Sequence, residues 1–218
     1  MSLRVGYVNV QGLAPDKFDV CCRLLDTIYD FLFVAETWFI DHRARKHDRR
    51  FLASTPKPQH DRGRPGGGIY LLGTKHARGI MSNLNITSHS ISFTATSLRI
   101  SGVYFPPTSM SNSDVDSHLK SLHDSSIVIG DINVRFRNSL RQEGPAGPPR
   151  RMEIFTRWLN ETGRAQAVPI TDSCTGVDPI TPSPAGLCSK FNLDHCFLRH
   201  RLLARSQLRL LDKTSLSL

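Results

Sequence analysis

The pattern of hydrophobic and polar residues predicts a β-strand, a helix and a second strand at the start of the chain. Residues Leu3 to Val10 alternate and are rich in valine, which predicts the first strand, and the turn QGLAP follows it. Apolar residues then recur at helical spacing between Asp16 and Asp30. The next segment, FLFVAE, is a short apolar run typical of a buried strand, so the beginning of the chain predicts a mixed α/β layer.

Strand patterns dominate the middle of the chain. β-branched or aromatic residues bounded by Gly, Pro, Ser or Asn predict further strands in four segments: GGGIYLL, ISFTATSLRI, SGVYFPP and SSIVIGDINV. Two segments predict helices instead: DVDSHLKSLHD, and RMEIFTRWLNETG ending at Gly163. The second helix is expected to bury Met152, Phe155, Trp158 and Leu159.

The last third of the chain has weaker patterns. RQEGPAGPPR is rich in proline and is expected to be exposed, and Pro169 to Ser189 shows little periodicity, which predicts a long surface loop. NLDHCFL predicts one more strand. We expect a single domain over 1–218, because the chain has 218 residues and is 39% hydrophobic, and an α/β or α+β sandwich.

Composition narrows the function classes. No run of about eighteen apolar residues is present, and the N-terminal residues lack a signal-peptide pattern, so we expect an intracellular protein that does not span a membrane. The net charge of +9 favours a polyanionic partner such as nucleic acid, although a generally basic soluble protein would have the same charge. Basic residues concentrate in three stretches that are expected to reach a phosphate backbone: HRARKHDRR, DRGRPGGG and PPRR.

The five cysteines argue against a disulfide framework. Their number is odd and they form no CxxC pair, which favours reduced thiols. Cysteines and histidines do crowd together between Cys188 and His200, but their spacing matches no standard zinc pattern.

The tetrapeptide GDIN is the most informative candidate for chemistry. If the strand stays extended, Asp131 and Asn133 point to the same face. A carboxylate can take a proton from water and an amide can donate to a phosphoryl oxygen, as phosphodiester hydrolysis requires. The alternative interpretation is a strand that ends in a polar turn.

Three further polar residues lie at predicted strand ends. Glu36 follows a buried apolar run, where a carboxylate needs a cation or a hydrogen-bond donor, and Mg²⁺ needs only one or two protein carboxylates. Asn9 lies on the first strand, and Tyr104 precedes the prolines that end another strand, which would leave its phenol at a rim. Each residue taken alone would more commonly be structural.

The order of these motifs resembles the endonuclease/exonuclease/phosphatase superfamily, the DNase I-like proteins. The motifs in order are VNVQGL, AETW, RPGGGIYLL, GVYFPP, GDINV and FNLDHCFL. ETW and RPGGG are most similar to the endonuclease domains of non-LTR retrotransposons. The resemblance implies a four-layered α/β sandwich of two mixed β-sheets flanked by helices, and a magnesium-dependent, or manganese-dependent, phosphodiesterase that nicks DNA.

The resemblance also implies a role for each matching residue. Glu36 would hold the metal with help from Asn9, and Asp131 would orient or deprotonate the attacking water. The remaining matches would contact the phosphate or support the site: Tyr104, Asn133 and, as a supporting acid, Asp194. Trp38 in ETW would pack in the core or contact a base.

One motif of the superfamily has no match. Its members end with a strand that carries Ser-Asp-His, and Leu193 to His195 matches either this motif or an earlier acidic motif. The apolar residues that follow favour the earlier motif, and so does the opposite facing of Asp194 and His195 on a regular strand. We therefore expect a domain that lacks its last strand and is weakly active or inactive.

Two other functions stay open at this stage. The same fold could act on RNA, 5′-tyrosyl-DNA or a phosphoinositide, and the net charge does not separate these substrates. A chain without the terminal motif could also be a nucleic-acid-binding module that has lost turnover. A nuclear location would follow from the resemblance and the charge, and the oligomeric state cannot be predicted.

Overall fold

The structure is a computed structural model. It describes the backbone of residues 2–57, 67–107, 109–134, 149–167, 176–182, 188–191 and 194–203, and the side chains of these residues except those at 149, 176–182, 188–191, 194 and 203.

The described residues form twelve strands and six helices. The strands are β1 (Val5–Asn9), β2 (Phe31–Ala35), β3 (Phe51–Ser54), β4 (Ile69–Gly73), β5 (Met81–Ile86), β6 (Ser90–Ala95), β7 (Leu98–Tyr104), β8 (Ile127–Asp131), β9 (Arg164–Gln166), β10 (Gly176–Pro182), β11 (Cys188–Phe191) and β12 (Asp194–Arg199). The helices are α1 (Pro15–Thr27), α2 (His42–Lys46), α3 (Lys75–Ile80), α4 (Asn112–Ser121), α5 (Pro149–Thr162) and α6 (His200–Leu203).

The strands form two large sheets and one small one. The first has the order β1-β2-β4-β3, the second β5-β6-β7-β8-β12-β9, and β10 pairs with β11. In the first sheet β1 runs parallel to β2, with Asn9 opposite Ala35, whereas β4 runs antiparallel to β2. The expected α/β fold with two mixed sheets and flanking helices is therefore confirmed.

The chain divides into two compact units. The described residues of Met1–Tyr104 and Ile127–Gly130 form the first unit, and those of Phe105–Ser126 and Asp131–Leu218 form the second. The expectation of a single domain stays a prediction.

The first unit has its core between facing strands. All five residues of β2 and of β4 are buried, which explains why both segments are continuous apolar runs. The ring of Phe93 on β6 lies 4.4 Å from Phe31 and 5.9 Å from Phe33, both on β2. Gly102 on β7 allows this approach, because a Cβ at that position would collide with the ring of Phe33.

The second unit has an aromatic core of its own. Phe155 on α5 lies 5.9 Å from Phe105 and 6.3 Å from Phe197 on β12, measured between ring centroids. Trp158 meets Phe197 edge to face at 6.0 Å. Burying these rings stabilises the unit and fixes β12 against α5.

Some elements differ from the sequence expectations. ISFTATSLRI contains two strands, β6 and β7, joined by a turn at Thr96 and Ser97 whose φ angles are 47° and 67°. A surface loop was expected from Pro169 to Ser189, and this is wrong for the described part, which forms β10 and the start of β11. Residues 169–175 and 183–187 lie outside the described residues. Helix α5 buries Arg151 and Ile154 in addition to Phe155 and Trp158, while Met152 and Leu159 are half-buried.

Two smaller findings concern the membrane and the thiols. In the part of the chain that is described, no helix is long and apolar enough to cross a bilayer. Cys21, Cys22 and Cys196 are buried free thiols, and the side chains of Cys174 and Cys188 lie outside the described residues.

Candidate active site

Asn9 and Glu36 meet at the ends of two neighbouring parallel strands. Asn9 is the last residue of β1, and Glu36 directly follows β2. The Asn9 amide donates from Nδ2 to Glu36 Oε1 at 2.8 Å, and its Oδ1 accepts from the backbone N–H of Gln11 at 3.2 Å. Both side chains are half-buried. The amide thereby supplies the donor that a carboxylate at a strand exit needs.

The backbone around Glu36 is joined to two other segments. The N–H of Gly12 donates to the carbonyl of Glu36 at 2.7 Å, and the N–H of Trp38 donates to the carbonyl of Gly67 at 2.9 Å. The N–H of Thr37 donates to Gly68 at 3.3 Å. Three strand-end segments therefore support the position of one carboxylate.

The glycines in these segments are required by close approach. Gly12 has φ of 95°, and a Cβ there would lie 2.5 Å from Cε3 of Trp38. Gly68 has φ of 89°, and a Cβ there would lie 2.6 Å from Oγ1 of Thr37. Only glycine combines this backbone conformation with these contacts.

Tyr104 ends β7 and packs against the core. It is 9% exposed and belongs to the core cluster of the first unit. A Cβ on Gly67 would lie 3.3 Å from its Cε1 atom, so the ring lies against Gly67. The position of its phenol at a rim stays a prediction.

Asp131 and Asn133 form a turn in the second unit. Strand β8 ends at Asp131, and Asn133 has a left-handed φ of 51°. Asp131 Oδ1 accepts from the N–H of Asn133 at 2.9 Å, and Asn133 Nδ2 donates to the carbonyl of Phe105 at 3.0 Å. The extended-strand argument for these two residues is wrong, because the strand ends before Asn133. A carboxylate and an amide do converge, but through a turn.

Both ring nitrogens of His195 contact other residues of the second unit. Its Nε2 lies 2.8 Å from the carbonyl of Val134, and its Nδ1 lies 2.8 Å from Nε2 of Gln166. This network assigns the proton to Nε2, because a carbonyl can only accept. The ring is buried and stacks on Phe197 at 5.7 Å. Asp194 begins β12, and its side chain lies outside the described residues.

Comparisons with known proteins find similar structures. No protein-family model and no curated protein matches the sequence. The endonuclease domain of TRAS1, a telomere-specific non-LTR retrotransposon, matches 93% of this chain and 88% of its own, with 13% identity and a TM-score of 0.61. An AP endonuclease from Archaeoglobus fulgidus matches 93% and 89%, with 14% identity and a TM-score of 0.65. A 3′ phosphatase, NExo from Neisseria, bound to a product DNA hairpin, matches 93% and 89%, with 13% identity and a TM-score of 0.60.

The chain has a DNase I-like fold. The resemblance read from the motifs is thereby confirmed at the level of the fold. Within the DNase I-like fold of this chain, the motif residues described above lie at strand ends: Asn9 after β1, Glu36 after β2, Tyr104 at the end of β7 and Asp131 at the end of β8.

The residues at the end of β1 and β2 suit a hard cation. Among the described residues no group of three or more His, Cys, Asp or Glu side chains could hold a metal ion. Mg²⁺ does not need such a group, because it retains several waters and takes one or two carboxylates with substrate phosphates. Glu36 offers one carboxylate and Asn9 an amide oxygen, and both are hard donors. The residues present therefore fit Mg²⁺, with most of its ligands being water or phosphate.

Sequence analysis did not single out three residues near the Glu36 segment: Thr37, Tyr70 and His42. Thr37 and Tyr70 are fully buried, and the Tyr70 hydroxyl lies 2.7 Å from Nδ1 of His42. Burial raises the pKa of Tyr70 to about 12. Burial, followed by the charges of Lys46 and Lys57, lowers the pKa of His42. Thr37 lies in the ETW motif, which was a usable signal, but no local pattern links Tyr70 to His42.

Proposed function

We propose that this chain is a divalent-metal-dependent phosphodiesterase that nicks DNA. The observation that carries the proposal is the hydrogen-bonded pair of Asn9 and Glu36 at adjacent strand ends of a chain with a DNase I-like fold. Similar structures include endonucleases and a phosphatase bound to a DNA product. The proposed reaction is therefore hydrolysis of a nucleic-acid phosphodiester.

In the first unit, Glu36 would hold the metal and Asn9 would fix its carboxylate. The Asn9 donor occupies Oε1 of Glu36, and among the described residues no donor contacts Oε2, which leaves that oxygen for Mg²⁺ or Mn²⁺. A bound ion would supply polarisation of a phosphoryl oxygen and neutralise charge on the leaving oxygen. The Tyr104 phenol would contact the phosphate.

In the second unit, Asp131 would orient the attacking water and take its proton. Its carboxylate is held by the backbone of Asn133. The Asn133 amide nitrogen carries two N–H groups, of which one donates to Phe105, so the other would donate to a phosphoryl oxygen. Asp194 would be a supporting acid.

DNA is the proposed partner because the charge favours a phosphate backbone. The chain carries 28 Lys and Arg against 19 Asp and Glu. Helix α2 and the residues after it expose basic groups, among them Arg43, Lys46 and Arg49. Contacts of this kind are tolerant of sequence and weaken with salt. A nuclear location would agree with this partner and remains part of the proposal.

The first test is nicking of supercoiled plasmid by the purified chain, with Mg²⁺ and with EDTA. We expect Mg²⁺-dependent nicking that falls about a hundredfold or more in Glu36→Ala, since this change removes the metal carboxylate. Asp131→Asn should lower the rate by about 10²–10⁴-fold, the usual contribution of a general base. The matched controls are Glu153→Ala and Asp19→Asn, which change exposed carboxylates on α5 and α1.

The outcomes separate the substrates as well. Equal loss in Glu36→Ala and Glu153→Ala would contradict the metal assignment. The same variants should be assayed on single-stranded RNA, a 5′-tyrosyl-DNA oligonucleotide and a phosphoinositide. If the chain turns over one of these substrates faster than DNA and Glu36→Ala abolishes that turnover, the phosphodiesterase assignment stands and that substrate replaces DNA.

The second candidate function is a nucleic-acid-binding module without turnover. It is favoured by the position of His195, whose ring nitrogens both have partners within the second unit. A histidine held in this way does not contact a scissile phosphate. Salt-dependent DNA binding without Mg²⁺-dependent nicking would favour this function over the nuclease.

A further inference from the structure

The segment that carries Glu36 has an unusual backbone. Glu36, Trp38, Phe39 and Asp41 have φ angles of 51°, 50°, 51° and 48°. Each non-glycine residue in this region costs about 1–3 kcal/mol, so the segment is stable only if surrounding contacts hold it. The position of the Glu36 carboxylate therefore depends on the contacts that hold this segment.

Three side chains hold the segment from Glu36 to Asp41. Oγ1 of Thr37, the residue after Glu36, accepts from the backbone N–H of Phe39 at 3.4 Å. The phenol of Tyr70 lies 2.7 Å from Nδ1 of His42, the residue that follows the segment. Thr37 and Tyr70 are each 0% exposed. The first contact lies within the segment, and the second joins its far end to strand β4, which carries Tyr70.

Tyr70 and His42 form a hydrogen bond between two neutral groups. Burial favours the neutral form of both, since it raises the pKa of Tyr70 and lowers that of His42. The tautomer of His42 decides whether the phenol or Nδ1 is the donor, and either tautomer satisfies the pair. A satisfied hydrogen bond at a buried phenol restrains both side chains.

Close packing surrounds His42 and Thr37. The His42 ring meets Phe39 edge to face at 5.7 Å and Phe51 at 6.4 Å. Thr37 packs against Gly68, where a Cβ would lie 2.6 Å from Oγ1 of Thr37. Both side chains are therefore restrained by packing as well as by hydrogen bonds.

We propose that Thr37, Tyr70 and His42 are positioning residues for Glu36. Their hydrogen bonds hold the segment from Glu36 to Asp41 so that the carboxylate is presented to a divalent cation. None of the three touches the cation or the substrate. The inference rests on the proposed function only in taking Glu36 as the metal ligand.

The test measures binding of Mn²⁺ alone to the full chain by electron paramagnetic resonance, without DNA. Tyr70→Phe removes one oxygen atom, and Thr37→Val removes one hydroxyl at nearly constant volume. Both should weaken Mn²⁺ binding about tenfold, as loss of a group that orients a metal ligand does. Thr37→Ser keeps the hydroxyl and should bind Mn²⁺ as the original chain does.

Tyr29→Phe is the matched control for Tyr70→Phe. Tyr29 is half-buried in the same unit, and no hydrogen bond to its hydroxyl is seen among the described residues. It precedes β2, so it lies at the opposite end of that strand from Glu36. Its variant should bind Mn²⁺ unchanged. A second measurement, hydrogen exchange at the Thr37 and Trp38 amides, should show faster exchange in Tyr70→Phe than in Tyr29→Phe.

The outcomes distinguish this inference from the proposed function. If Glu36→Ala abolishes Mn²⁺ binding and Tyr70→Phe leaves it within twofold, the positioning role is refuted while the metal ligand stands. Equal weakening in Thr37→Ser and Thr37→Val would also refute it, because the hydroxyl would not be the cause. If Glu36→Ala binds Mn²⁺ unchanged, the metal assignment fails and the positioning role fails with it.

Discussion

Three glycines give a direct test of how tightly the candidate site is packed. Gly12→Ala introduces a Cβ at φ of 95° and 2.5 Å from the Trp38 ring. Gly163→Ala introduces one at φ of 58° with no atom within 4 Å. Gly79→Ala, within α3, meets neither a strained φ nor a neighbouring atom. The series therefore separates backbone strain from steric collision.

The expected changes in the free energy of unfolding follow from these geometries. Left-handed backbone costs an alanine about 1–2 kcal/mol, so Gly163→Ala should lose about that amount. Gly12→Ala carries at least this strain, because its φ of 95° lies beyond the left-handed well, and adds about 1–3 kcal/mol of overpacking. The expected loss is about 2–5 kcal/mol or more. Gly79→Ala should gain about 0.5–1 kcal/mol, because alanine is the better helix former.

Urea unfolding followed by far-ultraviolet circular dichroism measures all three variants. The decisive quantity is the difference between Gly12→Ala and Gly163→Ala, in which the strain contribution largely cancels. A difference below about 0.5 kcal/mol would mean that the Trp38 ring moves aside without cost, which is outside the range expected for overpacking. That result would refute the close packing of Gly12 on Trp38.

Three further predictions concern other regions. Burial raises the pKa of Cys21 to about 12, so at pH 8 its thiol should react with a disulfide reagent only after unfolding in urea. The ion pair with Arg50 lowers the pKa of Asp26. The pair should stabilise the fold by about 0.2–1 kcal/mol, as exposed pairs do, at pH values above the ordinary pKa of Asp26. This stabilisation should be lost as the pH falls through the lowered pKa of the folded state, so the stability of Asp26→Asn should match that of the original chain in acid. Arg151→Met should destabilise by about 1–3 kcal/mol, because two backbone carbonyls lose a buried donor, whereas exposed Arg150→Met should change little.

The fold could be predicted from sequence where local pattern and tertiary role agree. Strand β2 is apolar at every position because it is buried on both faces, and α1 shows helical spacing because one face packs on the core. Strand β5 was missed for the opposite reason. Its residues are mostly exposed and half of them are polar, so Met81 to Ile86 shows no strand pattern. Backbone pairing with β6 holds this segment in the extended conformation.

The candidate residues were found by the order of their motifs, and their geometry was not predictable. The argument for Asp131 and Asn133 assumed an extended strand, whereas the local hydrogen bond from the Asn133 backbone to the Asp131 carboxylate ends it. Asparagine and aspartate compete with strand pairing in this way wherever their side chains can reach a backbone N–H. The prolines after Tyr104 indicated a strand end but not the burial of its ring, which depends on packing against the core.

The support behind Glu36 lay beyond local reasoning because it depends on distant pairs. Tyr70 and His42 are 28 residues apart, and only the antiparallel pairing of β2 with β4 brings Tyr70 behind the segment after β2. Sequence patterns report periodicity within an element, whereas this contact depends on register between elements. The same register pairs Ala35 with Ile69, so a slip of one residue would turn Tyr70 to the opposite face of the sheet. The contact between Tyr70 and His42 is therefore set by strand register, and the proposed positioning of Glu36 would depend on that register as much as on the motif that contains it.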